Sequence, residues 1–272
     1  MEKHYTSLIS QVFGKFASKE FSPWFQKMVN SSYVNLMGLD MYEFMPASHY
    51  KTLNKLFTRQ LREPRTFDPE SSAFISPCDS LITEFGDLDE TRAMQIKGMS
   101  YCVHGLLGEH VDEAEKERVT HGQFVNFYLS PKDYHRYHIP TDMKVLKAVH
   151  IPGKLYPVNM PSLNKRADLF IENERVVLEC ETPDQKRLYM ILVGALNVGK
   201  MVLGFDERIQ TNADAQESTM YEYDDLQLKK GDDFGCFEMG STIVIITEPQ
   251  MLELNIDVNE KVRFAQTIAT LK

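Results

Sequence analysis

The sequence predicts an α+β protein, with a helical N-terminal region over residues 1–65 followed by a largely antiparallel β core over residues 66–272. Apolar residues recur at helical spacing as far as Leu61. Beyond residue 70 the pattern becomes short apolar and β-branched runs separated by Gly, Pro, Asp and Asn, which reads as strands and turns. Few capped helical segments interrupt those runs, so a doubly wound parallel sheet is disfavoured.

Tyr5, Leu8, Ile9, Val12, Phe13 and Phe16 fall on one face of a first helix, with Lys3, Lys15 and Lys19 elsewhere. Ser22 before Pro23 reads as the N-cap and first-turn proline of a second helix, in which Trp24, Phe25, Met28 and Val29 form one stripe. Ser48 is placed to cap a third helix carrying Leu53, Leu56, Phe57 and Leu61. Such stripes ordinarily pack on a core. Strands are expected at residues 74–75, 124–129, 175–178, 189–193 and 242–247. The longest apolar stretch, residues 188–205, carries Asn197 and Lys200 near its middle and glycines at 194, 199 and 204. A lysine at the bilayer centre costs about 2.5–3.5 kcal/mol, so two buried strands around a glycine-bearing turn fit better than a membrane span. The charged stretch 206–225 has no apolar period and reads as an exposed loop.

With 272 residues, 43% of them hydrophobic and 25% charged, the chain can bury one large core or two small ones, and it is not a disordered sequence. A formal net charge of −9 argues against a generic nucleic-acid binder, which needs a basic surface against phosphate. It also disfavours attraction to anionic lipid by overall charge, so membrane contact has to rest on apolar insertion or a local basic patch. Cys78, Cys102, Cys180 and Cys236 are far apart and form no CxxC pair, which points to a reducing compartment. The first residues lack the pattern of a secretory signal.

The most chemically suggestive segment is Met239-Gly240-Ser241-Thr242, between a glycine-bearing turn and a β-branched run. Gly240 puts no side chain beside its own carbonyl and permits unusual backbone angles, so the Ser241 hydroxyl can approach that carbonyl. With a base and an oxyanion donor, an N-to-O acyl shift would turn the amide into an ester. Loss of the serine α-proton would expel the glycine carboxylate, and hydrolysis of the resulting dehydroalanine would give a pyruvoyl cap. Alone, a Gly-Ser-Thr step is more often a turn before a strand. Thr242 can donate to the developing oxyanion or simply favour the strand. His135 and His138, in a short segment ending at Pro140, are base candidates because an imidazole titrates near 6.5. By residue type alone, one of them is as well a structural hydrogen-bonding group. No metal is expected, since their segment is not a helical HExxH and offers no third ligand. Asp79, after Pro77 and Cys78, reads on its own as a turn residue. Residues 194–200 imitate a P-loop, but Met201 stands where the magnesium-binding Ser or Thr belongs.

These segments form part of a longer ordered series. Phe57-Thr58-Arg59-Gln60-Leu61, Ser76-Pro77-Cys78-Asp79, Lys97-Gly98 with Ser100-Tyr101, and Leu106-Leu107-Gly108 come first. Then follow Tyr128-Leu129-Ser130-Pro131-Lys132-Asp133-Tyr134-His135-Arg136-Tyr137-His138-Ile139-Pro140, Gly153-Lys154-Leu155, Asn173-Glu174-Arg175, Val193-Gly194-Ala195 and Lys230-Gly231. In these blocks and their order, from about residue 57 to 247, the chain resembles the phosphatidylserine decarboxylase proenzymes. Cys78 and Ser80 depart from the Ala and Gly common in that family, and Lys200 from its usual small residue.

The resemblance implies self-cleavage between Gly240 and Ser241, leaving a β chain of residues 1–240 and an α chain of residues 241–272 associated as a heterodimer open to further dimerisation. It implies a covalent pyruvoyl group derived from Ser241 as cofactor, and conversion of phosphatidylserine to phosphatidylethanolamine and CO2 through a Schiff base. His138 would pair with Asp79 in a relay that assists cutting, resembling a Ser-His-Asp triad, and His135 would belong to the decarboxylation site. Because the substrate of such an enzyme sits in a bilayer, the first two helices become a membrane-associating anchor at the cytoplasmic side of the cell membrane. The third then packs on the catalytic domain. The alternatives are a pyruvoyl decarboxylase for another amino-acid headgroup and a non-catalytic lipid-binding relative.

Overall fold

The computed structural model describes residues 5–96, 99–158, 160–196, 200–211, 217–238 and 241–272; Gly240, and the side chains of Tyr5, Leu8 and Ile9, lie outside what is described. Helices α1 (Tyr5–Ser18), α2 (Pro23–Met37) and α3 (Leu53–Phe57) come first, with a 3-10 turn at Ala47–His49. Strands β1 (Ala73–Ile75) and β2 (Ser80–Asp87), the hairpin β3 (Arg92–Ile96) and β4 (Met99–Cys102), and helices α4 (Val103–Leu107) and α5 (Glu113–Glu117) follow. Next are β5 (Gln123–Leu129), β6 (Arg136–His138), β7 (Met143–Ile151), α6 (Met160–Leu163) and α7 (Leu169–Glu172). Strands β8 (Arg175–Glu181), β9 (Arg187–Gly194), β10 (Met201–Leu203), β11 (Thr219–Leu228) and β12 (Asp233–Phe237) precede β13 (Ser241–Thr247). The chain ends in β14 (Leu252–Leu254), β15 (Lys261–Val262) and β16 (Thr267–Leu271).

The α+β expectation holds, and the sheets are antiparallel. The main sheet has eight strands in the order β11-β7-β8-β9-β13-β5-β2-β15. Its central strand, β13, is buried along its whole length, which suits the run Ile243-Val244-Ile245-Ile246 because β-branched side chains pack well on a pleated surface covered on both sides. Side chains alternate between two cores. Ile243 and Ile245 join Phe127, Leu192 and Met190 under the small sheets β10-β12-β6 and β1-β16-β14. Val244 and Ile246 face the opposite core, built with Tyr101 of the β3–β4 hairpin, Leu106 of α4 and Phe170 of α7.

The five strands expected from the sequence are present as β1, β5, β8, β9 and β13. Residues 188–205 do form two strands, and β10 belongs to a separate sheet. Two expectations need correction. The stretch 206–225 is not all loop, since β11 begins at Thr219; it lies against β7 at the sheet edge, where Tyr221, Tyr223, Leu226 and Leu228 pack on the core but a bulge and exposed acids interrupt their period. The third helix starts at Leu53, capped by the Thr52 hydroxyl, which accepts from the Lys55 N–H at 3.0 Å. Ser48 instead lies in the 3-10 turn, and Leu61 lies beyond the helix. The intervening backbone is engaged elsewhere, as the Ala47 and Tyr50 carbonyls accept from the Asn30 amide.

Helix α2 opens at Pro23 and ends at Gly38, whose φ of 65° supplies the left-handed closing residue. Its burial is inverted. The face turned inward carries Gln26, Asn30 and Tyr33, while Trp24 is 74% and Leu36 81% exposed. Ala17, Tyr33, Leu39, Leu53, Leu56 and Phe57 form a small core of their own for this region. Among the described residues no helix is long and apolar enough to cross a membrane.

Gly235 in β12 has a Cβ position only 1.9 Å from the Val202 carbonyl oxygen and 2.6 Å from the Tyr137 ring. Gly235→Ala is therefore expected to lower stability by about 2–4 kcal/mol, read from the urea midpoint. An unchanged midpoint would contradict this close approach of β10 to β12.

Candidate active site

Ser241 opens β13 directly opposite Leu129 of β5 and Gly194 of β9. Strand alternation puts its side chain on the face of Ile243 and Ile245, and it is 0% exposed. Among the described residues its hydroxyl has no hydrogen-bond partner. A buried hydroxyl left in that state costs about 1–3 kcal/mol. Gly194 allows the close packing behind it: its N–H donates to the Glu174 carbonyl at 2.8 Å and its carbonyl accepts from the Asn173 amide at 2.8 Å. A Cβ there would lie 3.0 Å from Leu155 and 3.2 Å from the Glu174 oxygen. Thr242 is also buried with an unpartnered hydroxyl, but alternation turns its side chain to the opposite face, away from that of Ser241.

The turn after β5 carries the histidines. The Ser130 N–H and hydroxyl both donate to Asp133 Oδ2 at 2.7 Å, closing residues 130–133 into a tight turn. Burial raises the Asp133 carboxyl above its usual range. His135 follows, 0% exposed, with its carbonyl accepting from the Phe237 N–H at 2.9 Å. Segments 129–135 and 237–241 are thus tied to each other at both ends, through His135 to Phe237 and through Leu129 to Ser241.

The two imidazoles differ in their free electron pairs. His135 Nδ1 is 2.8 Å from the Asp133 carbonyl, which can only accept, so Nδ1 carries the proton and Nε2 bears a lone pair. That Nε2 is buried and has no partner among the described residues. Burial, with a smaller contribution from the Arg59 charge, lowers the His135 pKa to about 3. His138 Nδ1 donates to the Gly231 carbonyl at 3.0 Å, so its Nε2 accepts the Tyr134 hydroxyl at 3.0 Å. Its ring stacks on Phe264 at 3.5 Å, and burial lowers its pKa to about 4. Both rings are neutral at pH 7.

Asp79 and His138 are not hydrogen-bonded to each other here, so the relay implied by the resemblance is not assembled in this structure. The Asp79 carboxylate accepts from Arg65 at 2.5 and 2.9 Å and from the Phe264 N–H at 2.8 Å. Phe264 links the two, its N–H on Asp79 and its ring on His138. Arg65 also holds Glu43 at 2.9 Å, and Arg263 pairs with the same glutamate. Neither Cys78 nor Ser80 adopts a positive φ, so their departure from Ala and Gly costs no backbone strain.

The N-terminal helices dock on this turn. Phe57 lies 4.0 Å from the His135 ring, ring centre to ring centre, and the Tyr33 hydroxyl donates to the Pro131 carbonyl at 3.2 Å. Arg59, 2% exposed, donates to the Lys132 and Asp133 carbonyls at 3.0 and 3.2 Å and covers the Phe44 ring.

The family model for phosphatidylserine decarboxylase matches residues 53–270. A phosphatidylserine decarboxylase proenzyme of Helicobacter pylori (strain Shi470) is 47% identical over 265 residues, covering 97% of this chain and 96% of that protein. The proenzyme of that name from Campylobacter jejuni is 42% identical over 265 residues, covering 96% and 97%. One from Coxiella burnetii (strain RSA 331) is 31% identical over 268 residues, covering 97% and 94%. The chain belongs to the phosphatidylserine decarboxylase family. In this member of the phosphatidylserine decarboxylases, the Ser241 hydroxyl and the His135 Nε2 are buried polar atoms with no partner among the described residues. Among the described residues no group of three or more His, Cys, Asp or Glu could hold a metal ion.

Sequence reasoning did not single out Arg59, Arg65, Tyr134 or Phe264 as parts of the site. Arg59 had a signal, a cation one turn beyond the buried Leu56, and Tyr134 precedes His135 directly. Arg65 and Phe264 had none, because their relation to Asp79 depends on tertiary packing.

Unfolded histidine takes up a proton near 6.5, whereas His135 and His138 in the fold do so near about 3 and about 4. Between those values the unfolded chain binds more protons, so these two residues lower stability as pH falls from about 6.5 towards 4. Asp133, with its raised pKa, works in the opposite sense. His135→Gln should therefore show a smaller fall in urea midpoint between pH 6.5 and 4 than the parent; an equal fall would contradict a buried neutral His135.

Proposed function

We propose that the chain is a self-processing phosphatidylserine decarboxylase that makes a pyruvoyl cofactor from Ser241. The observation that carries this reading is the serine hydroxyl buried inside the protein without a partner among the described residues. A serine that attacks a separate substrate needs an open cleft. A serine that attacks its own preceding peptide needs none, and exclusion of water protects the ester from hydrolysis before elimination.

In the proposed sequence Ser241 Oγ attacks the Gly240 carbonyl carbon, a base takes the hydroxyl proton, and the C–N bond breaks to give an ester and a free amine. Removal of the Ser241 α-proton expels the Gly240 carboxylate from Cβ and leaves dehydroalanine. Its imine tautomer adds water and releases ammonia. A pyruvoyl group at that position would supply an electron sink for the pair left on the substrate carbon when its carboxylate departs as CO2. We assign the first proton transfer to His138, following the family pattern with Asp79; it requires His138 to give up the Tyr134 hydroxyl. His135, with its lone pair free and its ring next to the substrate-facing helices, is assigned to turnover, holding the proton delivered to the substrate α-carbon. Thr242 supports the strand, since its hydroxyl faces away from that of Ser241.

Residues 1–65 serve as the membrane-associating region and 66–272 as the catalytic domain, peripheral at the cytoplasmic side of the cell membrane. The inverted burial of α2 supports this: an exposed face with Trp24, Met28 and Leu36 suits the lipid interface better than water. Phosphatidylserine is the substrate, and residues 1–240 and 241–272 stay together after cutting.

Intact masses of wild type and Ser241→Ala test the reading. Wild type should give two fragments meeting at residues 240 and 241, with phosphatidylserine trapped on the smaller by cyanoborohydride, and the variant one uncut chain; an intact wild type would overturn self-processing. His138→Ala should stay uncut, whereas His135→Ala should cut but turn over at least about a hundredfold more slowly. Trp24→Ser combined with Leu36→Ser should weaken sedimentation with phospholipid vesicles about tenfold without preventing cutting.

A further inference from the structure

We infer that the cleft between the α1–α2 connection, α3 and β6 seats the phosphodiester of the lipid substrate, with Lys51 and Lys55 at its mouth and Arg59 at its floor. This rests on the decarboxylase reading and adds to it the place where the headgroup phosphate is held. The cleft has a volume of about 630 Å³, and Glu20 is the only carboxylate among its described lining residues, against Lys51, Lys55, Arg59 and Arg136. In a chain of net charge −9 this is a local reversal of sign. The neighbouring cavity of about 510 Å³ beside Asp79 is more acidic, with Asp40, Glu43, Asp79 and Asp133 on its walls against Arg59, Lys132 and Arg263.

The cations differ in how far they are already used. Arg136 is neutralised by two hydrogen bonds to Asp233. Neither the Lys51 nor the Lys55 ammonium meets a carboxylate among the described residues. Arg59 spends Nη2 on two carbonyls, and its buried Nε has no partner among the described residues. Two free ammonium groups and an unsatisfied guanidinium N–H around one cleft form a seat for a phosphate oxyanion.

Position favours a lipid headgroup. At the outer end, Ser18 and Glu20 belong to the connection between α1 and α2, flanked by the exposed Phe16 and Trp24. At the inner end, Arg136 follows His135 in the chain and the charge of Arg59 acts on the His135 ring. The phosphate and amine of a phosphoserine headgroup are two carbons apart, so a phosphate seat has to adjoin the reacting groups while the acyl chains stay in the bilayer. This cleft runs from the exposed α1–α2 connection to Arg136, the residue next to His135 in the chain.

The test is the double variant Lys51→Gln, Lys55→Gln, assayed with monomeric dihexanoyl phosphatidylserine. It should still cut itself, with kcat within about twofold and KM raised about tenfold, while turnover of a phosphate-free O-acylserine is unchanged. An unchanged KM, a rise confined to vesicle-bound substrate, or an equal loss on the phosphate-free analogue would overturn the inference. If wild type neither cuts nor decarboxylates, the decarboxylase reading fails first, and the seat is judged by calorimetry alone. Glycerophosphoserine should bind Ser241→Ala, and lack of binding, or equal binding after adding the two lysine substitutions, would overturn the seat.

Discussion

The hydrogen-bond ladders on both sides of β13 hold Ser241 buried, where no partner among the described residues reaches its hydroxyl. A protein interior ordinarily satisfies such a group or replaces it with an apolar one, because leaving it bare costs about 1–3 kcal/mol. The surrounding strand offsets that cost many times over: Ile243, Val244, Ile245 and Ile246 are fully buried between two cores. The position is therefore one that the sheet can impose on a residue that would not choose it. Proximity without a competing partner is also what a reaction between a side chain and its own backbone needs.

A second constraint joins the surface to this interior. Arg59, Phe57 and Tyr33 belong to the N-terminal helical region, yet each is anchored on the turn that carries His135. Anything that shifts α2 or α3 is felt one layer away by the Asp133 carbonyl, which accepts from both Arg59 and His135 Nδ1. The bond to Arg59 costs a largely desolvated guanidinium, and burial lowers the pKa of that group. Its location between two cavities and the histidine turn gives that expense a structural purpose, with Nη2 tying together the Lys132 and Asp133 carbonyls of that turn.

Much of the fold was legible where the signal was local. Buried strands such as β9 and β13 announce themselves as apolar and β-branched runs, and Pro23 marks the start of α2. Edge strand β11 was not read because its alternation of Tyr221, Tyr223, Leu226 and Leu228 with polar residues is broken by a bulge and set in a charged stretch. The site divides in the same way. Ser241, His135, His138 and Asp79 could be picked out by residue type and motif, but their partners could not. Nothing in the sequence near Asp79 foretells that Arg65 and the Phe264 N–H take its oxygens, or that Tyr134 takes the His138 lone pair. The stripe on α2 was visible as apolar, whereas its outward orientation follows from Asn30 and Tyr33 reaching inward to backbone carbonyls.

The same geometry bears on what a cut before Ser241 would leave behind. The last 32 residues are not a terminal appendage, since β13 lies between β5 and β9 and β16 lies between β1 and β14. β15 adds a pairing to β2, and the Phe264 N–H and ring hold Asp79 and His138. Breaking one peptide bond removes none of these contacts, and it gains chain entropy only for the few residues beside the break. Release of the small piece would instead require opening the central sheet and exposing both cores. On the proposed reading, the group made from Ser241 therefore stays in the strand position that produced it.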